Sequence, residues 1–439
     1  MKADMKIKKG FALIFTLMIA SLIIAIIVSI TAISSGDLSL AKRMTNTMRA
    51  YYLAEAGLAR KFAELRADTA GHASDINNAV VNFPTGNSGS FSVDVEQVGA
   101  GVFPTFTLTS TGTYPVTNGV SKTLRLTVRQ ITIARYIYLT NLETRSGSNI
   151  WFIGGDIVRG PMHTNGQINI YGDPVFEGPV SSVSDSINYY HGPPPLDNPD
   201  FQSTLTLGAP RIQLPVSTDI IASIKTAAQQ TGGSYFIGNT TVTLMSNGTA
   251  NITNDGRYLT GVTNAGQYWV NHNIPLPANG ALFVNNGNVD MSGILAGQLT
   301  VATNSNIYIV NNILYNNDPR TDPNSTDMLG LVSQNNVIVD SAAPYNLEID
   351  AYILALNTSF YLENYTYGLK GTLTLYGGIT QVERGAVGTF NINTGLRLSG
   401  YKKDYNYDER FKDVAPAYFP PAKDVNGRIM YLKIFWQEL

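Results

Sequence analysis

The hydrophobic pattern changes once along the N-terminal part of the chain. From Phe11 through Ser35 there are 25 residues without a charge, and a helix that crosses a bilayer needs roughly 20. The apolar region of a secretory signal peptide is shorter, at about 7–15 residues. Beyond this run, apolar residues recur at intervals of three and four, which is the spacing of an amphipathic helix. These residues are Ala41, Met44, Met48, Tyr51, Leu58, Phe62 and Leu65, and the polar Glu55 interrupts the series.

One helix from Phe11 to about Arg66 would be roughly 84 Å long. Two interpretations of this helix stay open. It is a membrane anchor followed by a stalk, or it is a shaft that packs with copies of similar helices.

Strand patterns follow the helix. The stretches SFSVDVEQVG, FTLTSTGTYP and KTLRLTVRQITI alternate apolar and polar residues and are separated by Gly, Pro and Asn. They predict an antiparallel meander with one face available to cover the amphipathic half of the helix.

A repeat begins in the region after Tyr136. Glycines occur at 154, 160, 166, 172 and 178, six residues apart, with apolar residues between them. Six residues make about one short strand and a corner, so three steps predict one coil of a three-sided β-helix. A meander of short hairpins is the alternative. A less regular stretch with one helix near IIASIKTAAQQ follows, and short apolar steps resume from Ala281.

The C-terminal segment, rich in Tyr and Pro, is expected to cap the open end of the stacked coils. Tyr401, Tyr405 and Tyr407 would pack over that end, with stacking on sugars as the alternative, and RIMYLKIFWQEL would form a last strand. The predicted fold class is α+β and mainly β. The predicted regions are a leader (1–10), a long helix (11–70), a small β-meander (71–135), a β-helix with loop insertions (136–400) and a C-terminal cap and strand (401–439).

The composition of the chain argues against several classes of function. The formal net charge is −2, so the chain lacks the excess of positive charge that is typical of nucleic-acid-binding proteins. The chain has no cysteine and four histidines, so we expect no disulfide, no metal site and no cofactor. The best acid pair for polysaccharide cleavage is Glu348 and Asp350, which would point the same way from one strand. A solvated edge is the simpler interpretation, and we predict no catalytic residues and no enzyme activity.

One loop, NNDPRTDPNSTD, carries Asp318, Asp322 and Asp327. These side chains are suitable calcium ligands, but the loop lacks the spacing of an EF-hand. We expect a polar loop that crosses between coils.

The N-terminal residues KKG ending at Gly10, then Phe11 and ALIFTLMIASLIIAIIV, resemble the class III signal of type IV prepilins and pseudopilins. The resemblance implies that a prepilin peptidase cuts between Gly10 and Phe11 and methylates the new N-terminal Phe11. It also implies a single pass through the inner membrane. The leader carries Lys2, Lys6, Lys8 and Lys9 against Asp4, which fits a cytoplasmic N-terminus.

Two further stretches add to this resemblance. RMTNTMRAYYLAEAGLARKFAELR is similar to the PilX class of minor pilins, and the chain from Tyr136 onward is similar to exported bacterial proteins with a bactofilin-like β-helix. The implied partners are the peptidase, other major and minor pilins, inner-membrane lipid before assembly, and a tip adhesin or surface polysaccharide. The assembly helix would present Phe15, Met44, Met48, Tyr51, Glu55, Leu58 and Phe62.

Phe15 departs from the family pattern, because most major pilins have Glu at the fifth position after the cut. In the family that Glu meets the N-terminal amine of a neighbouring subunit, and an ammonium in an apolar bundle is costly without a carboxylate. A subunit without the acid fits an initiating or tip position. The alternative is that Phe15 is one more lipid-facing residue.

The resemblance therefore implies a minor-pilin-like subunit in pilus assembly, initiation, tip display or adhesion. It would reside in the inner membrane first and then in the pilus, at the cell surface or in the periplasm. The alternatives are a membrane-anchored periplasmic β-helix scaffold and a polysaccharide-acting enzyme.

Overall fold

The computed structural model describes residues 4–67, 74–83, 88–98, 104–254 and 269–439, without the side chains of 4–10. The first three leader residues, residues 68–70 of the expected helix and residues 71–73, 84–87 and 99–103 of the expected meander lie outside these ranges, as do residues 255–268 of the expected β-helix. The chain is mainly β, with one long N-terminal helix. It divides into two compact units. The first contains Met1–Val98, Thr105–Val128 and Lys433–Leu439, and the second contains Gly99–Pro104 and Arg129–Leu432.

The helices are α1 (Asp4–Arg66) and α2 (Ser217–Ala228). The first strands are β1 (Ile76–Asn82), β2 (Ser88–Val98), β3 (Thr105–Tyr114), β4 (Val120–Gln130), β5 (Tyr138–Leu142), β6 (Thr144–Arg145), β7 (Ser148–Asn149), β8 (Phe152–Ile153), β9 (Ile157–Arg159), β10 (Met162–Thr164), β11 (Asn169–Tyr171), β12 (Val175–Phe176), β13 (Val180–Ser182), β14 (Asn188–Tyr189), β15 (Asp200–Phe201), β16 (Leu205–Thr206) and β17 (Ile212–Gln213). The later strands are β18 (Ser234–Ile237), β19 (Thr240–Met245), β20 (Thr249–Asn254), β21 (Trp269–Pro275), β22 (Ala281–Asn285), β23 (Val289–Leu295), β24 (Gln298–Thr303), β25 (Ile307–Tyr315), β26 (Met328–Ser333), β27 (Val337–Val339), β28 (Leu347–Ala355), β29 (Phe360–Leu362), β30 (Leu369–Glu383), β31 (Gly388–Phe390), β32 (Arg397–Tyr407), β33 (Lys423–Asp424) and β34 (Tyr431–Glu438).

In the first unit, α1 packs on a five-stranded sheet with the order β1-β2-β3-β4-β34. The three predicted strands form, as β2, β3 and β4. Their alternation decides which residues are buried, because successive side chains of a strand point to opposite faces. Val93, Leu108 and Leu124 are fully buried. The predicted last strand also forms, but as β34 it joins this sheet.

In the second unit, the glycine repeat corresponds to parallel strand pairs. Met162 lies opposite Val180, Ile157 opposite Val175, and Phe152 opposite Ile170. Each pair is 18 residues apart, which is three of the six-residue steps. The corners leave no room for side chains, because a Cβ on Gly178 would lie 2.2 Å from the carbonyl oxygen of Gly160.

The parallel pairing does not follow the order of the chain. One row runs β16-β13-β10-β5-β30-β28-β26-β24-β22-β18. The chain starts this row in the middle with β5 and proceeds to β16. It then resumes at the other end with β18 and returns until β30 pairs with β5.

The expected C-terminal cap is therefore wrong in its position. β32 pairs in parallel with β30 on one side and with β9 on the other, inside the stack. Tyr401, Tyr405 and Tyr407 are buried there. The ring of Tyr405 stacks on Tyr138, with centroids 6.4 Å apart. The open edge that a cap would cover does not exist at this point, because β9 and β30 already occupy both sides of β32.

Candidate functional site

The expected processing junction lies inside α1. Gly10 is within the helix, and Phe11 and Phe15 follow on its exposed part, with 73% and 57% of their surface accessible. Every residue from 11 to 45 is exposed. No other described element of the first unit covers this half of the helix.

This exposed half is apolar enough to enter a membrane. Its most hydrophobic 18-residue window has a mean hydropathy of 3.0. Its hydroxyl side chains bond back to helix carbonyls, for example Thr16 Oγ1 to Leu13 O at 2.9 Å and Ser29 Oγ to Ala25 O at 2.8 Å. Such internal bonds satisfy the polar groups where water is absent. The segment thus suits a membrane anchor, and an N-terminal signal sequence is the other kind of segment with this apolar character.

The second half of α1 faces the sheet through a stripe of small and apolar residues. The buried members are Ala50, Leu53, Ala54, Gly57, Leu58, Lys61 and Leu65. Two glycines set the distance between helix and sheet. A Cβ on Gly57 would lie 2.3 Å from Ser110 Oγ, and a Cβ on Gly112 would lie 2.2 Å from the carbonyl oxygen of Ala50.

This contact gives the stretch AEAG a structural role. Ala54 and Gly57 are three residues apart and face the sheet, whereas Glu55 and Ala56 are exposed. Residues three apart share one face of a helix, so the two small residues together allow the backbone to approach strands β2 and β3 closely. The signal in the sequence is the pair of small residues Ala54 and Gly57 at helical spacing.

Polar side chains flank the same contact. Arg49 Nη1 donates to the hydroxyl of Tyr114 at 2.6 Å, and its guanidinium lies 4.8 Å from the centre of that ring. Lys61 is almost fully buried and pairs with Glu64 at 3.1 Å. Burial of a lysine in the sheet-facing stripe was not expected from the apolar pattern.

The structure separates the residues that we expected on the assembly seam. Leu58 is buried against the sheet, and Tyr51 and Phe62 are half-buried. Met44, Met48 and Glu55 are exposed. The residues expected on one assembly surface therefore lie on two surfaces of the helix. Only the exposed surface can contact another chain.

The candidate acid pair lies in the second unit. Glu348 and Asp350 share one strand, β28, and both face Arg320 of the loop before β26. Arg320 donates to Glu348 Oε1 at 2.8 Å, and its Nη2 lies 3.5 Å from Asp350 Oδ2. The sequence prediction that these acids point the same way is confirmed. A guanidinium lies between them, where a glycosidase needs space for the sugar.

Asp350 is the unusual member of this group. Only 1% of it is exposed, and its Oδ1 has no hydrogen-bond partner among the described residues. Burial raises the pKa of Asp350 to about 7, although the backbone N–H of Tyr315 and the charge of Arg320 oppose this shift.

The acids of the NNDPRTDPNSTD loop bond to the protein itself. Asp318 accepts from Arg320 Nε at 2.7 Å, Asp322 accepts from the N–H of Asn324, and Asp327 accepts from the N–H groups of Gly297 and Asn317. Within the described ranges, no group of three or more His, Cys, Asp or Glu side chains is arranged to hold a metal. These acids close the loop between β25 and β26.

Comparison with known proteins gives one match. A family described as "Domain of unknown function (DUF4900)" matches residues 103–184, which include β3, β4 and the whole glycine repeat. No curated protein and no solved structure matches the chain.

The helix–sheet contact predicts that Gly57→Ala destabilises the first unit. Alanine in place of glycine favours a helix by about 0.5–1 kcal/mol, but overpacking costs about 1–3 kcal/mol, and the Ser110 and Phe91 side chains leave no space. We expect a net loss, measured by thermal unfolding of the full chain in detergent. Gly36→Ala is the matched control, since nothing lies within 4 Å of its Cβ position. Equal stability of the two variants would contradict this packing.

The raised pKa of Asp350 predicts a dependence of stability on pH. Its folded pKa is above the ordinary value of 3.8, so the unfolded chain releases this proton first as the pH rises. The contribution of Asp350 is highest below about pH 4 and falls by up to about 1.4 kcal/mol per pH unit until about pH 7. In denaturant unfolding across this range, Asp350→Asn should remove that fall, whereas the exposed Asp185→Asn should not. Parallel curves for wild type and Asp350→Asn would count against the shift.

Proposed function

We propose that this chain is a minor-pilin-like subunit of a type IV pilus or a related secretion filament. The observation that carries the proposal is the division of α1. Residues 11–45 form an exposed apolar helix, whereas the following residues are held on a β-sheet through small side chains. A membrane-inserted segment fixed rigidly to a folded unit is what an assembly helix requires.

Processing follows from the N-terminal resemblance. The prepilin peptidase removes the leader after Gly10 and methylates Phe11, while the helix crosses the inner membrane with its N-terminus in the cytoplasm. The helix is then withdrawn from lipid and packs with the helices of other pilins. Met44, Met48 and Glu55 support this step, because they are exposed on a helix whose other face is already covered.

Phe15 supports a first or tip position in the filament. The processed N-terminus is an ammonium, which is costly in an apolar bundle unless a carboxylate compensates it. Phe15 supplies no carboxylate to the amine of an earlier subunit. A subunit that has no earlier neighbour in the filament needs no carboxylate at this position.

The second unit is the part that is displayed. We infer that its parallel rows, with the 18-residue offsets and tight glycine corners, form a β-helix. Adhesion to a partner at the cell surface or at the filament tip is its role. Contacts of Glu348 and Asp350 with Arg320 support a structural use of these acids over catalysis.

One other function is favoured by a specific observation. The exposed helix 11–45 would equally anchor a periplasmic scaffold that never enters a filament. Processing separates the two, because a scaffold keeps its leader.

Substitution of the residue before the cut tests processing. In Gly10→Val we expect the leader to be retained and Phe11 to stay unmethylated, so the intact mass of the purified chain should exceed that of the wild type by the leader. Pilus number should fall. Gly36→Val is the matched control and should be processed normally. If wild-type protein carries its leader, or if both mass and pilus number are unchanged in Gly10→Val, the pilin proposal fails.

A carboxylate at the fifth mature position tests the tip role. Phe15→Glu should leave cleavage after Gly10 intact, since the change lies outside the junction. If the subunit initiates a filament, the new acid has no amine to meet, and its burial should leave incorporation equal or lower. Quantitative immunoblots of sheared filaments measure this, with Phe15→Leu as the apolar control. Clearly greater incorporation of Phe15→Glu would contradict the tip position.

A further inference from the structure

The second unit contains a cavity of about 300 Å³ that the assembly role does not use. It lies beside the hairpin β6–β7 and the strands β31 and β32. Aromatic side chains form much of its wall: Trp151, Tyr365, Phe390 and Tyr401. Its volume is at the lower end of small-ligand pockets, which range over roughly 300–1,000 Å³.

A charged pair lies in the same wall. Lys403 Nζ is 2.5 Å from Asp156 Oδ2, and the side chains are only 11% and 4% exposed. The same carboxylate oxygen accepts from the N–H of Ile153 at 3.2 Å. Among the described residues, no donor bonds to Asp156 Oδ1. The pair therefore offers a hydrogen-bond acceptor, Asp156 Oδ1, beside hydrogen-bond donors, the remaining N–H groups of Lys403.

Arg397 adds a second cation to the cavity. Its Nη1 donates to the carbonyl oxygens of Gly371 and Gly400 at 2.7 and 3.0 Å, which fixes the guanidinium in place. In the described part of the chain, no carboxylate forms an ion pair with it. The wall thus contains two cations, Arg397 and Lys403, and one carboxylate, that of Asp156, so one positive charge is uncompensated.

We propose that this cavity binds an acidic sugar residue, a uronic acid or a sialic acid. The C–H face of a sugar ring packs on aromatic side chains, and its hydroxyl groups both donate and accept hydrogen bonds. Neighbouring hydroxyls can therefore bond Asp156 and Lys403 together, while the sugar carboxylate pairs with Arg397. An apolar peptide side chain would instead exclude water from the pair and leave Asp156 Oδ1 and the remaining N–H groups of Lys403 without hydrogen bonds, which is costly.

Aromatic residues continue from the wall to the surface. Phe390 contacts Tyr171 with ring centroids 4.7 Å apart, Tyr171 contacts Tyr190 at 5.2 Å, and Tyr190 contacts Trp151 at 5.3 Å. Tyr190 is 41% exposed. This surface suits a further sugar ring, so the ligand is a residue within a glycan chain.

The inference goes beyond the assembly role and does not depend on it. Every residue of the cavity belongs to the second unit. An unprocessed Gly10→Val chain should therefore bind the sugar as the wild type does. Loss of processing and loss of binding are separate results.

The test measures binding of D-glucuronate, D-galacturonate and N-acetylneuraminate by saturation-transfer NMR. It uses the full chain in a detergent without a sugar headgroup. The methyl ester of each acid is the matched neutral probe. We expect at least one acid to bind about tenfold or more tightly than its ester, because a charge-assisted pair is lost in the ester. Absence of binding by all three acids, or equal binding of each acid and its ester, would overturn the proposal.

Variants locate the site. Arg397→Gln should weaken binding of the acid at least tenfold and leave the ester unchanged, Arg397→Lys should recover part of the loss, and Trp151→Ala should weaken both probes. Arg428→Gln and Trp436→Ala are controls with exposed side chains outside the cavity. Thermal unfolding confirms that each variant is folded. Unchanged acid binding in folded Arg397→Gln would show that the site is elsewhere.

Discussion

The second unit depends on a buried ion pair between the beginning and the end of its chain. Arg384 Nη1 lies 3.1 Å from Glu143 Oε2, and both side chains are 1% exposed. The guanidinium also donates to the carbonyl oxygens of Ile150 and Trp151 and lies 3.4 Å from the centre of the Phe152 ring. Buried charges are tolerated only when they are paired and bonded in this way. Since Glu143 follows β5 and Arg384 follows β30, neither charge is compensated until these strands pair.

The pairing of β5 with β30 brings the beginning and the end of the second unit together. The N–H of Ile131 donates to the carbonyl oxygen of Met430 at 3.1 Å, so the two connections leave the second unit side by side. The second unit is thus inserted between β4 and β34 of the first sheet. β34 pairs with β4 and forms the outer strand of the first sheet, so this sheet is completed only after the entire second unit has been synthesised.

The sequence predicted the features that depend on residues close together in the chain. Alternation located the strands β2, β3 and β4, and the six-residue glycine spacing predicted the 18-residue offset between paired parallel strands. It did not predict that β34 joins β4 or that β32 lies between β30 and β9, because alternation indicates a buried face and not the partner strand. The same limit applies to α1. Apolar spacing predicted one seam, whereas Gly57 and Lys61 contribute to the buried face through size and pairing.

The Phe152 ring connects the closing ion pair to Lys403, which lines the cavity. Phe152 lies under the Arg384 guanidinium, and Lys403 Nζ is 5.8 Å from the centre of the same ring. Trp151 and Asp156 come from the beginning of the unit, whereas Arg397 and Lys403 come from its end. The walls of the cavity therefore exist only when β32 is paired with β9. A ligand that contacts both sides binds the closed unit alone and stabilises it by mass action. A β-domain without cysteine, and therefore without disulfides, would gain resistance to unfolding at the position where its chain ends meet.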